Sequence, residues 1–458
     1  MRTLPFRSSA RTALRVALGS LALALALPGS AQASSYPADI APRIAVLSPD
    51  KQAFLRDEAR LAMFHLTPEK IANDFRTRTQ AEIDAYVSGL MQVMADAAFH
   101  PGVDKGAIAL NPDATGFNAG TTLKPPMFDA FHRDPGPISL DHYMFQPSGI
   151  PTFAHAPVAV RKEDLIAGHV EVAFVGVPID FSSGWRDGKH GPMFLRSTDG
   201  LVGNDVYTGI DPATVLSIAD YGDLATDYMS VERTVDHVRF MIGDMARTGA
   251  APFIVGGDHS LMYPDIAAMS DTYGKGKVGI VQFDAHYEGE TGSAHFFSDN
   301  QSLQRLIADG VIGGHQVVQV GVRGPEMTSA DAARLRADGV TMLGMDRVEK
   351  EGWTAVARTA LDAVKAGPGK VFISFDMSVL DPAYAAGAGR PVPNGLTMRE
   401  AVPLVREICA SAKVVGFELL DYAQVLDVSY RSPQNANYIL HSCLAGIAER
   451  KLATMPKG

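Results

Sequence analysis

Val278-Gly279-Ile280-Val281-Gln282-Phe283-Asp284-Ala285-His286-Tyr287-Glu288 is an apolar run of strand length that ends in acid, imidazole and acid at every second position. Only Gln282 interrupts the apolar character between Val278 and Phe283. A strand with no wet face belongs inside a sheet covered on both sides. Alternate residues of an extended segment project to the same side. Asp284, His286 and Glu288 therefore aim at one point just beyond the strand's carboxyl end.

Six further stretches read as strands of the same kind: Glu171–Val177, Pro252–Val255, Gln316–Gly321, Val340–Leu343, Val371–Phe375 and Val414–Phe417. Helical apolar spacing fills most of the gaps, as at Val231–Arg247, Thr354–Lys365 and Met398–Ala410. This alternation predicts an α/β fold of three layers, α/β/α, around a mostly parallel central sheet. Ligands of such sheets bind at the carboxyl ends of the strands. Two more strands end in metal-ligand residue types, with Gly256-Gly257-Asp258-His259-Ser260 after one and Ser374-Phe375-Asp376-Met377-Ser378, then Asp381-Pro382, after the other. His259 and Asp376 can thus join Asp284, His286 and Glu288 around one centre. Imidazole mixed with carboxylates suits Mn²⁺, Fe²⁺, Co²⁺, Ni²⁺ or Zn²⁺ better than Ca²⁺ or Mg²⁺. Two such ions sharing carboxylates would supply hydroxide near neutral pH for attack on a planar carbon. Each cluster alone is a weak signal. Three in this order, each after an apolar strand, are not a coincidence.

The rest of the 458-residue chain sets the context. Its 46% apolar and 20% charged residues are ordinary for a globular protein. A formal charge of −10 argues against nucleic acid or an anionic membrane as the main partner. Residues 1–33 have the layout of a secretory signal peptide: Arg2, Arg7, Arg11 and Arg15, an apolar run from Val16 to Leu27, and Ala31-Gln32-Ala33 before Ser34. Export to the periplasm or the medium is therefore expected, with no membrane attachment after cleavage. Residues 34–144 read as an N-terminal extension, helical over Gln52–Phe64 and Pro68–Phe99, with Thr67-Pro68 as a cap, and loop-rich over Pro101–Pro137. The catalytic domain would occupy 145–458. The two cysteines, Cys409 and Cys443, lie on apolar helical stretches, so they are expected to be buried small hydrophobes, although an oxidising compartment permits a disulfide.

In order and spacing, Gly256–Ser260, Asp284–Glu288 and Ser374–Pro382 resemble the signature motifs of the ureohydrolase (arginase and agmatinase) family. The resemblance runs from about Gly149 to the C-terminus and includes Gly176–Asp180, Gly188–Pro192, Asp220–Asp223, Gln319–Gly324 and Pro393–Thr397. It is closer to agmatinases than to arginases, notably at Gly149–Phe153. The resemblance implies an arginase-like fold, a homo-oligomer (trimer or hexamer), and a centre of two Mn²⁺ ions that hydrolyses a small cationic guanidino substrate to urea and an amine. Matched to it, His259, Asp284, His286 and Asp376 are metal ligands. Glu288 and Ser378 stand at two further ligand positions, where the family has Asp. Asp421 would orient the guanidinium through paired hydrogen bonds. Trp185, in a loop that borders the site in this family, is the candidate substrate contact, with packing an equal reading. His295 is the candidate proton shuttle, although it stands a few residues early and reads more plainly as a surface or supporting histidine.

The departures carry their own expectation. Glu418 and Asp421 stand where agmatinases have Asp and Glu. Around Phe296–Gln301 the expected His-Gly is replaced by Ser298, Asp299 and Asn300. Ser378 removes a carboxylate from the second metal, which is therefore expected to bind more weakly, with Ni²⁺ or another divalent ion able to stand in for Mn²⁺. The alternative is a degenerate ureohydrolase-fold protein that binds a ligand or supports a partner subunit.

Overall fold

The computed structural model describes residues 36–62, 64, 66–97, 134–139, 150–181, 187–227, 230–291 and 298–455. The signal segment, most of the loop-rich stretch, Trp185 and His295 lie outside the described residues. The chain divides into two compact units, Met1–Met91 and Gln92–Gly458.

The first unit is helical. Thr67 accepts a hydrogen bond from Lys70 N at 3.2 Å and Pro68 opens the following helix, as the sequence predicts. Both expected long helices are broken. Asp57 separates Pro49–Arg56 from Glu58–Ala62 and caps the second piece by accepting from Arg60 N at 3.1 Å. Pro68–Phe75 ends before a new helix, Gln80–Ala97, that starts at a capping box. There Thr79 Oγ1 accepts from Glu82 N at 3.3 Å and Glu82 Oε2 accepts from Thr79 N at 2.6 Å. Phe54, Leu61, Ile71, Phe75, Ile83 and Val87 are buried.

The second unit is built on one sheet of eight strands: β1 Val172–Val177, β2 Ile218–Asp223, β3 Ala251–Gly256, β4 Gly279–Phe283, β5 Val317–Val320, β6 Thr341–Leu343, β7 Lys370–Asp376 and β8 Lys413–Leu420. Their order is β2-β1-β3-β8-β7-β4-β5-β6, and every pairing is parallel. The seven expected strands are present. The eighth, β2, went unread because its edge carries charge. Asp220 in mid-strand receives Nε and Nη2 of Arg196 at 2.8 and 3.0 Å, and Asp223 receives Nη1 at 2.6 Å. Arg196 also covers the Phe153 ring at 4.3 Å, which hides the apolar face of this edge.

Alternation along the strands divides the core between two faces. Ala173, Val175 and Val177 pack with Val238, Ile242 and Ile266 of helices Val231–Arg247 and Met262–Tyr273. Val172 and Phe174 lie on the other face, in one core cluster with residues of helices Trp353–Ala366, Met398–Ser411 and Arg431–Thr454. On this second face a row of rings crosses five strands. Phe174 to Phe253, Phe253 to Phe417, Phe417 to Phe375 and Phe375 to Phe283 are spaced at 5.3, 5.4, 6.5 and 5.3 Å. Truncating one such buried ring to Ala costs about 3–5 kcal/mol. Phe283 and Phe375 are paired across β4 and β7, and each immediately precedes a site aspartate, Asp284 or Asp376.

The cysteines correct an expectation. They are not independent small hydrophobes but a disulfide, Cys409–Cys443, with Cα atoms 5.3 Å apart. It joins helix Met398–Ser411 to helix Arg431–Thr454. The helices come close because of Gly446, where a Cβ would sit 2.4 Å from Arg406 O and 2.9 Å from Cys409 Cβ. Among the described residues no helix is long and apolar enough to cross a membrane.

Candidate metal centre

The centre lies at the carboxyl ends of four adjacent central strands, β3, β8, β7 and β4. The chain turns off β3 through Gly257, where a Cβ would meet Ile179 O at 1.6 Å, so only glycine fits this crossing. Asp258 then caps the following turn by accepting from Ser260 N at 3.1 Å, and the turn presents His259. β4 delivers Asp284, His286 and Glu288, and β7 delivers Asp376 and Ser378. β8 delivers Asp421, whose amide donates to Gly257 O at 2.8 Å. Glu288 and Asp421 hold left-handed backbone, φ 49° and 59°. Such conformations in non-glycine residues are uncommon and gather at functional sites.

Two triads converge there, His259–Asp284–Asp376 and Asp284–His286–Glu288, and all five residues are buried. Nδ1 of His259 lies 2.8 Å from Asp284 Oδ2 and 3.2 Å from Asp376 Oδ2. Nδ1 of His286 lies 3.2 Å from Asp284 Oδ1. Ser378 Oγ joins by donating to Asp284 Oδ1 at 3.1 Å. Supporting contacts set the orientation of these side chains. Ser374 Oγ is 3.1 Å from His259 Nε2, which leaves Nδ1 facing the acids, and Gln282 Nε2 donates to Asp284 Oδ2 at 3.0 Å. Against the cost of burial, His259 and His286 hold Asp284 well below the usual carboxylate range. Burial would lower His259, but Asp284 and Asp376 outweigh it and raise the imidazole well above its usual value. The pocket at this end has a volume of about 400 Å³ and is lined by His286, Glu326, Gly389, Arg390, Pro391, Val392 and Leu426. A larger cleft, about 510 Å³, opens at the opposite end of the sheet beside Gly279, Gln316 and Lys370, with no ligand cluster among the described residues.

The Arginase family model matches residues 170–446, more than half of the chain. The chain belongs to the arginase family. Over 292 residues it is 30% identical to the mitochondrial agmatinase of Gallus gallus, covering 63% of this chain and 82% of that protein. With the guanidinobutyrase of Pseudomonas aeruginosa it shares 28% identity over 313 residues, 66% of this chain and 94% of the other. The solved proclavaminate amidino hydrolase of Streptomyces clavuligerus superposes with a TM-score of 0.59 at 25% identity, covering 67% of this chain and all of that one.

This arginase-family centre contains residues that sequence reasoning passed over. Arg390 is the foremost. Its Nη2 donates to Glu288 Oε1 at 2.8 Å, its Nη1 to Asn300 Oδ1 at 2.6 Å, and its Nε faces Asp299 Oδ2 at 3.3 Å. Its own amide donates to Asp421 Oδ2 at 3.0 Å. Gly389 before it must be glycine, since a Cβ would stand 2.2 Å from Asp421 Oδ1. A lone arginine after the small-residue run Ala385–Gly389 was the available signal. Arg323 is another, donating to Ser378 O at 2.8 Å and to the carbonyls of Val379 and Leu380 at 3.3 Å, so that it holds the turn carrying Ser378. Behind His259, Asp265 of helix Met262–Tyr273 and Glu418 of β8 are both fully buried. Burial, with Glu418 beside it, pushes Asp265 well above the carboxylate range, and burial raises Glu418 too.

Proposed function

We propose that this chain hydrolyses a small guanidino compound, agmatine or a similar molecule, to urea and an amine, with a divalent metal held at His259, Asp284 and Asp376. The observation that carries the proposal is the set of lone-pair atoms meeting there without partners. His259 Nδ1 and Asp376 Oδ2 are buried and make no hydrogen bond of proper geometry, although Nδ1 lies 2.8 Å from Asp284 Oδ2 and 3.2 Å from Asp376 Oδ2. A buried imidazole nitrogen and carboxylate oxygen without hydrogen bonds are costly unless a cation satisfies them. The donor set suits Mn²⁺, the ion that the family resemblance implies, and also accepts Ni²⁺ or a related ion. Such an ion lowers the pKa of water and polarises the group under attack.

The chain's own residues do the rest. Gln282 and Ser374 fix Asp284 and His259 so that the ligands do not reorganise on binding. Asp421 stands beside the pocket wall at Gly389 and Arg390, where its carboxylate can orient a planar guanidinium. Burial, reinforced by Asp376 and opposed by Arg390, pushes Asp421 well above the usual range. A docked guanidinium would reverse that balance and favour the carboxylate. Agmatine and guanidinobutyrate are the first compounds to assay, because agmatinase and guanidinobutyrase are among the relatives. Export is part of the proposal, supported by the layout of residues 1–33 and by the Cys409–Cys443 disulfide, a bond of oxidising compartments. Assembly as a trimer or hexamer is proposed from the family resemblance.

The test is urea release from a guanidino panel by the Mn²⁺-loaded chain, with Asp376→Ala as control. Turnover of one compound that disappears in the variant is the expected result. No urea from any guanidino compound, in protein shown to contain metal, would overturn the proposal.

A further inference from the structure

We infer that Arg390 stands in for the second cation of the centre: its guanidinium holds the Glu288 oxygen a second metal would need, so the chain retains one divalent ion, at His259–Asp284–Asp376. The inference rests on the hydrolase reading above and specifies its metal stoichiometry.

Three observations carry it. The first is which oxygen Arg390 takes. Glu288 Oε1 is the atom that lies 3.9 Å from Nδ1 of both His259 and His286. That same atom accepts from Arg390 Nη2 at 2.8 Å. The second is how firmly the guanidinium is held. Asn300 and Asp299 engage its other nitrogens, while Asp421 accepts from the amides on which it is mounted: Gly389 N to Asp421 O at 2.8 Å and Arg390 N to Oδ2 at 3.0 Å. A guanidinium never deprotonates in this range, so its positive charge beside Glu288 is permanent. The third is Ser378. Its hydroxyl has one proton and donates it to Asp284 Oδ1, and it supplies no negative charge. A second divalent ion would therefore meet one neutral hydroxyl, one imidazole, a shared aspartate and a glutamate whose Oε1 is already paired with a fixed cation, with only Oε2 unbonded. Ligand charge sets divalent-ion affinity, and here it has been removed at Ser378 and neutralised at Glu288. The first triad, His259–Asp284–Asp376, includes neither residue.

The experiment uses the full chain saturated with Mn²⁺ and freed of excess ion, with elemental analysis and electron paramagnetic resonance read together. Wild type is expected to hold one Mn²⁺ per chain with the six-line spectrum of an isolated ion. The double variant Ser378→Asp/Arg390→Ala is expected to hold two, with a broadened, exchange-coupled spectrum and second-ion affinity at least about tenfold above wild type. Two tightly held, coupled ions in wild type would overturn the inference and leave the hydrolase proposal standing. One ion in a double variant that retains its circular dichroism would overturn the role given to Arg390. No bound Mn²⁺ in wild type would instead bring down the metal-hydrolase reading itself. The wild-type measurement decides the stoichiometry even if the double variant fails to fold.

Discussion

The two halves of the metal centre share Asp284 and differ in where their partners stand. In the His259–Asp376 half the supporting group is behind the ligand: Ser374 meets His259 Nε2 and leaves Nδ1 forward and unbonded. In the His286–Glu288 half the partners stand in front, with the Ser378 hydroxyl on Asp284 and Arg390 on the Glu288 oxygen nearest the histidines. Residue types at the strand ends make the halves look equivalent. The difference teaches that a ligand set is defined by what its atoms already hold as much as by the residues that supply them.

The strongest way to break the comparison is to remove what the halves share. Asp284→Asn is expected to lower Mn²⁺ affinity by at least about 1,000-fold, since losing even a supporting contact lowers it roughly 10–100-fold. Titration calorimetry checks this, and retention of tight binding would show that Asp284 is not the common ligand. Two controls should leave the halves alike. Cys443→Ser opens a disulfide between residues 34 apart. It is expected to destabilise the chain by about 3–4 kcal/mol, read from denaturant midpoints, without changing metal stoichiometry. His237 gives the second control. Burial lowers its imidazole from the usual 6.5 to about 4. Because its folded value lies below its unfolded one, stability is full above pH 6.5 and falls as pH drops towards 4, by up to roughly 3 kcal/mol. In His237→Gln that part of the slope should vanish from the pH series, and an unchanged slope would assign it elsewhere.

Smaller effects sharpen the asymmetry. Ser374→Ala, which frees His259 Nε2, is expected to weaken Mn²⁺ binding by roughly 10–100-fold. Glu288→Gln touches only the half engaged by Arg390 and is expected to change affinity by less than about tenfold, roughly 1.4 kcal/mol. A loss in Glu288→Gln as large as in Asp284→Asn would erase the distinction between the halves.

Much of this was legible in the sequence, for identifiable reasons. Seven strands are visible because buried parallel strands are apolar on both faces. β2 is not, because Asp220 and Asp223 are charged and their neutralising Arg196 lies 24 residues away from Asp220. The breaks at Asp57 and Thr79 were readable, the second as a Thr-x-x-Glu box, but the apolar spacing on either side ran through them. The disulfide depends on two helices meeting, which no local pattern encodes; Gly446, one turn after Cys443, is its only nearby trace. The Asp284–Glu288 group and Asp376 stand out because they sit at strand ends where alternation decides direction, and His259 because it lies in the Gly-Gly-Asp-His turn just after β3. Arg390 does not stand out, because its position depends on a loop fixed by Asp421, 31 residues further along.

The position of β8 has a consequence for the life of the chain. It is the last strand to be synthesised, yet it lies between β3 and β7 in the middle of the sheet. A nascent chain ending before Lys413 lacks the strand that joins β3 to β7, so the His259–Asp284–Asp376 triad has nothing to hold it together. An ion held at that triad, as proposed above, would be captured only by the finished polypeptide. A chain exported before it folds would load from the supply outside the cytoplasm, whichever ion prevails there.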